Sequence, residues 1–368
     1  MALFADIDQP RPRRQRRGRL VGWIILVVAI LGIVVVGVAP APYLIEEPGP
    51  AYNTLGSVEY KSSPRPLITI PDKQTYATGG SLDMLTVTVT GDPQQPPSWA
   101  EIAGAWFDPS KAVVPISDIY APKETVQQSN EESAAEMASS QQDATAAALH
   151  EQGIAFESTI SVFGVQKGLP ADGALRKGDV IDTVDGQTFV DSEGLRKAVI
   201  ANGTSKPLSI SFTRDGTKKT IELTPAKSTI DGSPAVGVYL GVTYKFPFAV
   251  NIQLQNVGGP SAGMMFALGI IDKLTPGKLN GGQMVAGTGT INASGTVGAI
   301  GGIRQKLYGA RAVGAKYFLA PKSNCDEVVG HIPSGIRVFS TSTLKQSVTI
   351  LDAIASGKGL ASLPTCTK

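Results

Sequence analysis

The most apolar stretch of the chain is residues 20–39, LVGWIILVVAILGIVVVGVA, which carries no charge. A helix of this length spans roughly 30 Å, the thickness of a bilayer's hydrocarbon core. Trp23 and Tyr43 stand near its two ends, where aromatic belts form. Beyond it the apolar runs become short. Residues 67–70, bounded by Pro66 and Pro71, and residues 85–90, in strict alternation, read as strands, with a loop at 91–97. Residues 126–150 are rich in Gln, Ser, Glu and Ala, and Ala134, Met137, Ala144 and Ala148 predict one or two polar surface helices. Strand patterns return at 159–165, 208–214 and 219–223, with a helix at 192–201. Residues 249–255 read as a half-buried strand and 264–274 as an apolar helix. Farther on, Ile303, Lys306, Leu307, Ala310 and Val313 form one apolar stripe holding a single lysine, while Arg304 and Arg311 fall well round the helix.

Charge changes the picture at the N-terminus only. The 33 basic and 31 acidic residues nearly cancel, so nothing points to nucleic acid. Arg11, Arg13, Arg14, Arg16, Arg17 and Arg19 nevertheless precede the apolar run and face only Asp6 and Asp8. The positive-inside rule then keeps the N-terminus cytoplasmic and puts the rest outside. The run is longer than a signal-peptide core, and Ala39 and Ala41 are each followed by proline, so the expectation is an uncleaved signal anchor in the cell membrane. Cys325 and Cys366 then face an oxidising compartment, where they either staple the C-terminal tail to the last domain or stay as thiols. Two histidines, His150 and His331, leave little room for His-based metal or triad chemistry.

Two segments resemble known modules. From 159 onward a strand, a Pro170–Ala171 helix start, a Gly178–Asp179 turn, a second strand, an Asp185–Gly186 turn, a helix and two strands follow in order. This succession resembles a PDZ domain of the bacterial protease type. The resemblance implies a partly open β-barrel with two helices that binds an extended peptide beside a sheet edge. Ile160, Ser161, Val162 and Phe163, with Leu195 and Val199 on the helix, are the expected groove residues; Leu195 and Val199 suit a core-facing helix equally well.

The second segment holds Gly259-Pro260-Ser261-Ala262-Gly263 at a strand-to-helix turn, where free N–H groups and the helix dipole converge. Alone, that serine is better read as a helix cap and no more. With histidine scarce, the available base is a lysine kept neutral by burial, and Lys306 occupies such a position. Together the serine motif and Gly301-Gly302-Ile303-Arg304-Gln305-Lys306 resemble the proteolytic domain of Lon proteases. The resemblance implies an α+β domain with Ser261 as nucleophile and Lys306 as base. Thr288, in Gly287-Thr288-Gly289-Thr290-Ile291, would orient the amine, and the backbone N–H groups of Ser261 and Ala262 would hold the oxyanion. Thr290 and Gln305 stand where that family carries glutamates. No Gly-x4-Gly-Lys-[Ser/Thr] phosphate loop occurs.

The expected organisation is multidomain: a basic cytoplasmic tail (1–19), a single transmembrane anchor (20–39), an exterior β-rich and helical segment of unassigned role (40–156), a PDZ domain (157–228), a Lon-type domain (229–356) and a tail (357–368). The expected activity is ATP-independent serine endopeptidase action on extended or misfolded extracytoplasmic polypeptides. Its partners are protein or peptide substrates and the membrane; cofactor, metal and nucleic acid are absent from the expectation. A homo-oligomer follows by analogy alone. The alternatives are a catalytically silent membrane-anchored PDZ adaptor and a self-processing protein.

Overall fold

The computed structural model describes residues 14–60, 63–228 and 231–367; residues 1–13, with Arg11 and Arg13 of the expected tail, lie outside it. Its principal elements begin with α1 (Arg14–Val38), β1 (Tyr43–Asn53), β2 (Ser81–Thr90), α2 (Trp99–Trp106), β3 (Ala112–Pro115) and α3 (Val126–Glu151). Next come β4 (Glu157–Val165), β5 (Val180–Val184), α4 (Ser192–Asn202), β6 (Leu208–Arg214), β7 (Thr217–Leu223) and β8 (Val238–Lys245). The last are α5 (Gly263–Leu274), β9 (Met284–Gly287), α6 (Ile303–Ala312), β10 (Tyr317–Pro321), β11 (Arg337–Thr341) and α7 (Leu344–Ser356).

The chain divides into two compact units, one of residues up to Glu47 with Val89–Val126, the other of Pro48–Thr88 with Gln127–Lys368. In the first, the Leu20–Val38 part of α1 has a mean hydropathy of 3.0, and none of its residues is buried. Tyr43 to Glu46 pair antiparallel with β3, and Ala41, Ile45, Ile102 and Ala105 make a small core.

The second unit is built round α5, whose residues from Gly263 to Asp272 are all buried. A helix apolar on every side must sit inside the molecule. The sheet beside it runs β11-β10-β9-β2, all parallel, and β10 reads as the continuous apolar run that a strand covered on both faces needs. Residues 48–53 of β1 flank β2, where Thr86 Oγ1 donates to Pro50 O at 2.7 Å.

This core corrects two expectations. Leu67, Ile68, Leu82 and Met84 pack with Met264, Phe266 and Ile270, so residues before the PDZ segment complete the body that follows it. Residues 126–151 form one helix that lies at the surface over its first half as expected but turns inward in its second: Ala144, Ala147, Ala148 and Leu149 are fully buried in the same cluster. Alanines let α3 approach its neighbours closely, a packing role that polar composition conceals. The proteolytic body therefore draws on residues 48–88 and 127–151 as well as on the 229–356 stretch, and the PDZ segment is inserted between its parts.

The inserted module is an antiparallel sheet in the order β7-β6-β5-β4-β8 with α4 across it. Asp215 and Gly216 take positive φ at the β6–β7 hairpin, as a two-residue turn requires. The helix expected at Pro170–Ala171 is a run of turns, so α4 is the module's only helix among the described residues. β8, assigned from sequence to the last domain, closes this sheet against β4 instead.

Two links tie the second unit together. Cys325 and Cys366 form a disulfide with Cα atoms 4.9 Å apart, closing a 41-residue separation. By chain entropy such a loop contributes roughly 4 kcal/mol. Within the PDZ sheet, Arg214 Nε donates to Asp179 Oδ1 at 2.7 Å and Nη2 to Oδ2 at 2.6 Å. Asp179 is fully buried, and the guanidinium holds its carboxyl below the usual range.

Because that folded carboxyl titrates below its unfolded value, its contribution is complete above the unfolded value and is lost as pH falls through the folded one. Asp179→Asn should lower the unfolding free energy, since it removes the carboxylate that accepts from the half-buried Arg214 guanidinium. Urea titrations at a series of pH values should also show a shallower loss of stability below about pH 4 in the variant than in wild type.

Candidate active site

Ser261 lies in the turn that leads into α5, and two neighbours brace that turn. On one side α3 presses against it: Gly259 N donates to Ser133 O at 2.9 Å, and Ser140 Oγ donates to Pro260 O at 3.0 Å. The fit leaves no room for larger residues, since a Cβ on Gly263 would stand 2.9 Å from Ser140 Oγ. On the other side the segment after β9 holds it. Ser261 O accepts from Gly289 N and from Thr288 Oγ1, both at 2.9 Å, and Met264 N donates to Gly289 O at 3.0 Å.

Lys306 enters from α6. That helix starts at Gly302, whose φ of +67° suits glycine and where a Cβ would come within 2.6 Å of Val87 Cγ2. Ile303, Leu307 and Ala310 are fully buried along the expected stripe, and Lys306 among them is 3 % exposed. Its Nζ donates to Ser261 Oγ at 2.8 Å and to Thr288 Oγ1 at 3.2 Å. Thr288 thus gives its hydrogen to the Ser261 carbonyl and presents a lone pair to the amine, which fixes where Nζ points. Val313 departs from the stripe at 38 % exposure, because α6 ends at Ala312 and the chain turns away. Gln305, not expected inside, is buried.

The N–H groups of Ser261 and Ala262 have no acceptor among the described residues, and they precede the first turn of α5. Unsatisfied donors at the positive end of a helix dipole can receive negative charge on a substrate oxygen. The strand expected at 249–255 shrinks to Asn251–Ile252, paired with Ile68–Thr69. Among the described residues no group of three His, Cys, Asp or Glu side chains is placed to hold a metal ion.

The peptide groove needs correcting. Both edges of β4 are occupied, since Ile160 pairs with Ile181 of β5 and with Val242 of β8. Ser161 likewise faces Val180 and Gly241, Val162 is buried in the module's core, and Phe163 points to solvent. No edge remains there for a peptide strand. The outer strands of the sheet are β7 and β8, and it is β8 that runs beside α4. Leu195 and Val199 do line the cavity beside it, about 470 Å3 in volume, together with Val236, Val238 and Leu240. Both are 5 % exposed, so they serve the module's core as well.

Sequence reasoning missed Ser133 and Ser140, which hold the turn carrying Ser261, and residues 236–240, which border the cavity beside α4. Alternation at 238–242 marks a strand but does not say which sheet it joins.

Residues 256–354 match the Lon protease (S16) C-terminal proteolytic domain, and residues 131–224 match the PDZ domain. The Lon protease of Fusobacterium nucleatum is 36% identical over 88 residues, which is 23% of this chain and 11% of that protein. The Lon protease of Clostridioides difficile is 38% identical over 79 residues, 22% of this chain and 10% of that protein. The matched chain thus spans about a tenth of these relatives' length. A PDZ domain from the SdrC-like protein of Listeria monocytogenes is 22% identical, covering 22% of this chain and 85% of that one, with a TM-score of 0.21. The chain carries a PDZ domain and a Lon-type proteolytic domain, and the second contains Ser261, Thr288 and Lys306.

Proposed function

We propose that the protein is an ATP-independent serine endopeptidase that cleaves extended polypeptides through a Ser261–Lys306 dyad. The reading rests on one observation: a lysine 3 % exposed, with Nζ 2.8 Å from the hydroxyl of a serine at a helix start. Burial raises the cost of carrying charge there and so favours the neutral amine. Neutral Lys306 takes the proton of Ser261 as Oγ bonds to the peptide carbonyl carbon. The resulting oxyanion sits on the Ser261 and Ala262 N–H groups. The ammonium of Lys306 then protonates the leaving nitrogen, the C–N bond breaks, and an ester to Ser261 remains. Lys306 next deprotonates a water, which attacks the ester and frees the acid, returning the proton to Oγ. Thr288 holds the amine in place throughout.

In this reading α1 anchors the protein in the cell membrane with its N-terminus cytoplasmic and the remainder outside, following the arginines ahead of it. The PDZ groove between β8 and α4 presents an already extended segment.

Hydrolysis of a reduced, denatured polypeptide should fall by roughly 10^4-fold or more in Ser261→Ala and in Lys306→Met. A serine-directed acylating reagent should label wild type and not Lys306→Met. Full activity in Ser261→Ala overturns the dyad, and absence of labelling and of hydrolysis in wild type favours the silent adaptor. A shortened form appearing in purified wild type and not in Ser261→Ala would mark self-processing. For the groove, Val199→Ala should weaken binding of a fluorescein-labelled unfolded peptide by fluorescence anisotropy, whereas Phe163→Ala should leave it unchanged. Melting curves of both variants check that the module stays folded.

A further inference from the structure

Among the described residues outside α1, the most exposed large apolar side chain is Phe107 at 89 %, and its neighbour Trp106 is 62 % exposed. They end α2, whose other face is spent: Ile102 is fully buried and Ala105 nearly so, against Ala41 and Ile45. The aromatic pair therefore contributes little to the core of its own unit.

The start of α2 is fastened to the exit of α1. Trp99 N donates to Ala39 O at 3.1 Å, Ala41 N donates to Pro97 O at 2.8 Å, and Pro40 bridges to Ser98. The only charge on α2 is Glu101, and its carboxylate accepts from the backbone N–H and hydroxyl of Ser98 in a capping box. From Ile102 to Phe107 the helix carries no charge at all. An eight-residue helix is about 12 Å long, so the pair stands within one short helix of the point where α1 ends. Directly after it, Asp108 stays a carboxylate, because the Ser110 hydroxyl and N–H donate to it and hold its titration below the usual range.

We propose that α2 is a second membrane contact, with Trp106 and Phe107 seated in the lipid headgroup region beside α1. This rests on the reading of α1 as a membrane span. The occupant is a lipid surface rather than a protein because the exposed pair belongs to the same compact unit as that span and is tied to its end. Aromatic rings of this kind favour the membrane–water boundary. Asp108 limits the depth to the headgroups, since a charge is costly in hydrocarbon. No lysine or arginine lies on α2, so the contact is apolar and independent of anionic lipid.

The test uses the full chain in phosphatidylcholine nanodiscs and its three tryptophans, Trp23, Trp99 and Trp106. Trp23→Phe with Trp99→Phe leaves Trp106 as the sole fluorophore; Trp99→Phe with Trp106→Phe leaves Trp23 to report on α1. Trp106 should be quenched by lipids brominated near the headgroup, resist aqueous iodide, and respond identically when phosphatidylglycerol replaces part of the phosphatidylcholine. If iodide quenches Trp106 and brominated lipid does not, while brominated lipid quenches Trp23, the interfacial contact is overturned and the span stands. If neither agent reaches Trp106, a protein surface covers it and the proposal is equally overturned. If no brominated lipid quenches Trp23, the span itself fails.

Discussion

An ammonium group taken out of water loses hydration worth several kcal/mol, and that constraint shapes the whole proteolytic body. Lys306 lies on the face of α6 that also carries Ile303, Leu307 and Ala310, all three fully buried, and is itself only 3 % exposed. Two hydroxyls from different segments, Ser261 and Thr288, receive the nitrogen. None of these three residues can be displaced alone. Thr288 is bound to the Ser261 carbonyl, and the turn carrying Ser261 is bound to α3 and to Gly289. The distance between Lys306 Nζ and Ser261 Oγ thus reports the integrity of a core assembled from widely separated parts of the chain.

How much of this was legible depended on the range of the interaction concerned. The stripe on α6, the apolar α5 and β10 appear in the local sequence pattern, because a buried helix or strand writes its own periodicity. The serine and lysine were found through residue type and order. What escaped notice was partnership at a distance. Residues 85–90 alternate as a strand should, yet nothing local says that β2 pairs with β9 some two hundred residues later. Residues 144–149 look like a polar helix end because alanine is nearly neutral in composition, while in the fold it is the residue that permits close approach.

The groove shows the same limit in sharper form. Ile160 to Phe163 have the pattern of a half-buried strand, and a strand of that kind is open to a peptide only if one edge is free. Whether an edge is free is a property of the sheet and not of the strand. β8 arrives from beyond the segment that resembles the module and takes the edge that β4 would otherwise have offered. Leu195 and Val199 escaped this error because a helix face is set by its own spacing, and both still border the cavity after the change of strand.

Insertion of the PDZ module between parts of the proteolytic body has a mechanical consequence that its position in sequence hides. The chain enters the module directly from α3 and leaves it along β8, which leads back toward the turn carrying Ser261. Tyr244 at the end of β8 donates to Asp143 of α3 at 2.8 Å, and burial beside that carboxylate pushes the Tyr244 hydroxyl's titration upward, keeping it the donor. Three residues earlier on the same helix, Ser140 donates to Pro260 O next to Ser261. Residues three apart on a helix share a face and lie about one turn from each other. The strand that borders the peptide groove and the turn that holds Ser261 are therefore fastened to a single turn of α3. A second tie lies at the start of α4, where Ser294 N donates to Asp191 Oδ2 at 2.7 Å, so the inserted module is held to the body at two separate points.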